Sequence, residues 1–129
     1  MSPEQGFLGF LALTLVLLGL VVLTGLRARR RVHLLCVSLA LGALGVTIWF
    51  AEQVGEHYDL EAAGWITPVH LALAKGTTLL YLLPLVSGVL TWRDARWKPW
   101  HRRFAFSVLG LTVLTAVTGT WMLLAAERL

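Results

Sequence analysis

Four histidines and one lysine are the residues of this 129-residue chain whose types and places suggest chemistry. His33 follows Arg29, Arg30 and Arg31, and His101 precedes Arg102 and Arg103. Imidazole ligates haem iron, and a guanidinium fork pairs well with a carboxylate such as a haem propionate. His33 and His101, with Arg31 and Arg102 beside them, therefore read either as a haem b site or as a cationic interface that grips anionic lipid headgroups. His57 stands close to Glu52, Glu56 and Asp59. Imidazole and carboxylate together suit several divalent metals, copper among them. His70 and His57 form a candidate outer ligand pair; the plainer readings are a solvated acidic loop for His57 and a helix contact for His70. Lys75 lies five residues beyond His70, about 140° round a helix from it. It either snorkels to an interface or neutralises Glu52 or an anionic ligand group. No nucleophile–base set and no phosphate loop is present, so an enzyme is not expected. The single Cys36 allows no intrachain disulfide and no paired-thiol motif, and Met122 is the only internal methionine. Copper-chaperone features are therefore missing.

These groups must be positioned by an unusual chain. It is 57% hydrophobic and 14% charged, with a mean hydropathy of +0.75. Soluble domains average about 25% charged residues, and at this length a water-soluble fold could not hide so much apolar surface. An integral membrane protein of one domain, 1–129, is expected. Spans of about 20 apolar residues fall at 7–26, 32–51, 66–91 and 104–126. Lipid offers no partner for backbone N–H and C=O groups, so all four are helical. The expected fold is all-α, an up-down four-helix bundle of the bacterial inner membrane. The first span reads as a retained anchor, because its leader is acidic and its cationic cluster follows it.

Charge sets the direction. The loops after the first and third spans hold Arg27, Arg29, Arg30, Arg31, Arg93, Arg96, Lys98, Arg102 and Arg103 against Asp94 alone. The other side holds Glu4, Glu52, Glu56, Asp59, Glu61 and Glu127 against Arg128. Basic loops stay cytoplasmic, which puts both termini on the outer or periplasmic side. Trp92, Trp97 and Trp100 mark one interface, and Trp49, Trp65 and Trp121 the other. Inner-leaflet lipid accounts for the basic loops without nucleic acid. On this topology His33 and His101 open parallel helices at one membrane depth. Gly42 and Gly45, Ala72 and Gly76, Ser87 and Gly88, and Thr115 and Gly119 with Thr112 are small or hydroxyl-bearing groups suited to helix packing in lipid. Pro84 should bend the third helix. No internal repeat stands out.

The histidines and their neighbours follow an order: Arg30-Arg31-Val32-His33, Trp49-Phe50, Val69-His70-Leu71-Ala72-Leu73-Ala74, His101-Arg102-Arg103, then Thr118-Gly119. This resembles the small membrane family that includes the CtaM/YozB-type maturation factors of haem–copper terminal oxidases. The likeness covers roughly residues 27 to 125, and His57 is not one of the residues of its pattern. It implies the same helix bundle and a role in haem or copper assembly of a respiratory oxidase, with His33, His70 and His101 carried over. A looser similarity links the chain to four-helix di-haem cytochromes b, which suggests a small electron carrier. From a different class comes a structural accessory subunit of a larger respiratory or photosynthetic membrane complex, docking through the featureless face of the first helix.

Overall fold

A computed structural model of the chain describes residues 1–129. The helices are α1 (Pro3–Leu26), α2 (Arg30–Gly55), α3 (Ile66–Leu80), α4 (Leu82–Arg93) and α5 (Lys98–Ala125). Two-residue strands at Tyr58–Asp59 and Glu127–Arg128 are the only extended hydrogen-bonded backbone. Taking α3 with α4 as one span, four helical segments are long and apolar enough to cross a membrane. The chain divides into two compact units, 1–58 (with Leu129) and 59–128.

The first unit is the α1–α2 hairpin. Its first helix starts at Pro3, four residues before the apolar run at 7–26, because local chemistry places the end. Ser2 Oγ accepts from Gln5 N–H and Gln5 Oε1 accepts from Ser2 N–H, a reciprocal capping box with proline in the first turn. The C-terminus closes with Arg29 N–H donating to Thr24 O and Ala28 N–H to Gly25 O. Ala28 takes the left-handed conformation (φ 54°) that this motif demands. Chain reversal is thus complete within three residues, which sets the start of α2 beside Thr24.

The second unit packs α3 and α4 against α5. α3 ends at Leu80 and α4 begins at Leu82, so the expected bend at Pro84 is a break one turn earlier. Proline has no N–H for the carbonyl four residues back and its ring crowds that turn. The next bond, Leu85 N–H to Tyr81 O, is stretched to 3.4 Å. α5 begins at Lys98 rather than near residue 104. Pro99 fits the first helical turn, so His101 stands inside the helix rather than ahead of it. A helix needs a cap and favourable dihedrals, not apolar residues, and so runs past the oily stretch.

Burial follows a 3.5-residue seam. In α2 the buried residues are Cys36, Ala40, Ala43, Thr47, Phe50 and Val54, spaced alternately four and three or three and four apart. That is the spacing of helices packed knobs-into-holes. Across the first unit Thr14 meets Thr47 Oγ1 to Oγ1 at 3.0 Å. In the second, Thr77 meets Thr115 at 3.3 Å and the Tyr81 hydroxyl meets Thr112 at 2.7 Å. In a Thr14→Val, Thr47→Val double-mutant cycle, measured by detergent unfolding, a coupling of about 0.6 kcal/mol is expected, the usual worth of such a bond in lipid. Zero coupling would show that these hydroxyls satisfy only their own helices.

Candidate functional site: three histidine clasps

Three of the four histidines sit in the same local structure. The His33 ring lies against Gly25, with Nδ1 2.9 Å from Val21 O and 3.3 Å from Thr24 Oγ1. The His101 ring lies against Gly88, with Nδ1 2.9 Å from Pro84 O and 3.3 Å from Ser87 Oγ. The His70 ring lies against Gly119, with Nδ1 3.1 Å from Thr118 Oγ1 and a backbone hydrogen bond to Thr115. Each clasp has a hydroxyl residue followed by glycine on one helix and a histidine on the helix packed against it.

The local physics is shared. A glycine carries no Cβ to cover the carbonyl four residues before it, so an imidazole can reach that oxygen. The hydroxyl turns its own proton back into its helix: Thr24 donates to Leu20 O at 2.7 Å, Ser87 to Leu83 O at 2.7 Å and Thr118 to Leu114 O at 3.0 Å. Its oxygen is then an acceptor, as a carbonyl always is. A nitrogen facing only acceptors must carry the proton, so Nδ1 is protonated in all three rings. Neutral imidazole in that tautomer has its lone pair on Nε2. Binding of Nδ1–H to a backbone carbonyl is how metal-ligating histidines are commonly held.

The clasps expose a repeat that a reading of the chain as a whole missed. His70 is followed after 17 residues by Ser87-Gly88, and His101 after 17 by Thr118-Gly119. α1 carries Phe7 and Thr24-Gly25 at the same places, and α2 carries His33 and Phe50-Ala51. The position seven residues after the first is buried in all four segments, as Thr14, Ala40, Thr77 and Val108. The position 17 residues after it is buried too, as Thr24, Phe50, Ser87 and Thr118. Only seam positions repeat. Residues facing away from the partner helix differ from segment to segment, which dilutes any overall likeness.

No family model, curated protein or solved structure matches this chain.

The other expected site residues are placed differently. His57 Nδ1 donates to Gln53 O at 2.7 Å on an exposed surface. Asp59 Oδ1 accepts from the N–H groups of Glu61 and Ala62, so it caps a turn. Nowhere do three His, Cys, Asp or Glu side chains gather as a metal-holding group. Lys75 is exposed on α3, and Arg31 and Arg102 are exposed on α2 and α5. Gly42, Gly45 and Gly76, expected as packing positions, face open space. Thr14, Thr24 and Gly25 in α1 were not singled out by sequence reasoning. The signal that finds the last two is a histidine paired with a distant hydroxyl–glycine step.

Proposed function

We propose that this chain is a small multi-pass protein of the bacterial inner membrane that associates with haem and assists assembly of a haem–copper respiratory oxidase. The observation that supports this reading is the shared geometry: Nδ1 of His33, His70 and His101 lies against backbone or hydroxyl oxygens, so a metal would be met through Nε2. Bound haem would supply a redox-active iron. His33 and His101 would each offer an imidazole nitrogen to such an iron, and the exposed Arg31 and Arg102 are cations that suit propionate carboxylates. Polar rings within a span are costly and mark function by default. A copper centre made by this chain alone would need several donors together, and the donor sets do not converge. The basic loops lie on the cytoplasmic side and both termini outside. The resemblance to oxidase maturation factors supplies the assembly role.

A second reading, a structural accessory subunit, is favoured by one observation. α1 buries only Gly6, Thr14 and Thr24, while Gly9 and Gly19 face open space. Stoichiometric co-purification with a larger complex in mild detergent would support it.

The test is one pair of spectra, oxidised and reduced, of protein purified from haem-replete cells. A Soret band is expected, and His33→Ala or His101→Ala should remove it or cut it by at least half while helical circular dichroism is kept. A colourless protein that also fails to take up added haem overturns the proposal.

A further inference from the structure

One charged side chain stands in the middle of a span. Trp65, just before α3, and Trp121, near the end of α5, meet edge to face at 5.2 Å between ring centroids. They are level with each other and exposed, as members of an interfacial aromatic belt are. Trp100, also exposed, stands at the other end of the unbroken α5. Twenty-one residues at 1.5 Å rise set the two belts roughly 32 Å apart, close to the thickness of a hydrocarbon core. Lys75 is ten residues along α3 from Trp65, roughly 15 Å, and so midway between the belts. Its Cβ tilts toward the start of its helix, and the four-methylene stem can lift the ammonium by about one turn. That leaves it well short of the headgroups.

A charge at that depth is costly and is normally paired with another charge or with backbone carbonyls. This chain has no anion to offer it. The seven acidic side chains are Glu4 in the first turn of α1, Glu52 in the last turn of α2, Glu56, Asp59 and Glu61 in the loop that follows, Asp94 after α4 and Glu127 after α5. All lie at helix ends or beyond them. Neither this chain nor a second copy of it can therefore bring a carboxylate to the level of Lys75. The surroundings suit a helix instead. Lys75 is on the face of α3 opposite Thr77, which α5 covers, and Leu71 and Leu79, one turn to either side of it, are 40% and 68% exposed. Ala72 and Gly76, one turn apart, lie between Lys75 and the seam with α5. They line a groove with Leu73, Leu80 and Leu111, and a Cβ added at Gly76 meets nothing within 4 Å. Small residues of this kind let a second backbone come close in lipid.

We infer that Lys75 and this groove dock a membrane-spanning helix of a different protein, one that carries an Asp or Glu near the bilayer centre. The inference rests on the membrane spans proposed above and not on haem. The ammonium and the carboxylate satisfy each other away from water, and the leucines and the small-residue step supply the packing.

A photo-reactive phenylalanine analogue at Leu79 of the full chain, in membranes of the cells that make it, tests this. Illumination is expected to give an adduct with a second protein, and mass spectrometry should place the cross-link in a span that contains Asp or Glu. Lys75→Met keeps the bulk of the stem and should cut the adduct by about ten-fold or more. Lys75→Glu should do the same, and changing the partner's acid to Lys should bring the adduct back. Cross-links to lipid alone, to a second copy of this chain, or to a span without a carboxylate overturn the inference. So does an adduct that Lys75→Met leaves unchanged. A wild-type chain that alkaline carbonate strips from the membrane overturns the spans beneath it instead.

Discussion

Gly119→Ala is expected to destabilise the protein by about 1–2 kcal/mol in detergent unfolding, whereas Gly42→Ala or Gly76→Ala should be neutral or stabilising. Alanine gains at most about 1 kcal/mol over glycine in a helix. At Gly42 and Gly76 nothing lies within 4 Å of the added carbon, so that gain stands unopposed. At Gly119 the new Cβ would sit 2.7 Å from His70 Cε1, with Nε2 at 3.2 Å and Nδ1 at 3.3 Å. The ring must move, and overpacking of this kind costs about 1–3 kcal/mol. The carbonyl and hydroxyl of the clasp would lose their donor as well. Gly25 and Gly88 are intermediate, with nearest approaches of 3.1 and 3.2 Å, so there the gain and the crowding nearly cancel. The ordering Gly119 worst, Gly25 and Gly88 near zero, Gly42 and Gly76 best is the result to check. Equal effects at all five would mean the rings are not seated on their glycines.

Phe50→Ala should also weaken the fold, by roughly 2 kcal/mol, without changing haem content. Phe50 is buried among Gly6, Phe10 and Trp49. In soluble proteins a buried Phe→Ala change costs about 3–5 kcal/mol, made of a transfer part and a cavity part. Between helices in lipid the transfer part largely vanishes, because the tails are as apolar as the side chain, and the packing part remains. Phe50→Leu should recover much of the loss. Unfolding curves and the haem ratio, measured on the same preparations, separate a structural corner from a ligand-bearing one. Haem loss in Phe50→Ala with an intact helix signal would contradict a purely structural role for Phe50.

The helical class and the number of long apolar segments were legible from residue type alone, since four oily runs leave few alternatives. Their ends were not. Ser2, Ala28 and Lys98 lie outside the oily runs, and capping and turn geometry set those boundaries. The clasps were half legible. His33, His70 and His101 stood out as rare polar groups, and Thr118-Gly119 was noticed beside them. That Gly25, Gly88 and Gly119 each seat one imidazole could not be read from small-residue spacing, which marks Gly42, Gly45 and Gly76 just as strongly. Occupied and open glycines differ only in what stands opposite. In the acidic loop Asp59 accepts from backbone N–H groups and His57 donates to Gln53 O, as the plainer reading of a solvated loop has it.

The position of α5 has a mechanical consequence. It receives a ring near its last turns and inserts one from its first, so it is gripped at both ends by neighbours it cannot pass. Sliding by one residue would turn each grip through about 100°, out of line with its partner. A piston stroke or a screw rotation is therefore closed to this helix. Any motion between its ends must be flexure of the opposing pair, and the gap at Tyr81 between α3 and α4 is where that rod can yield.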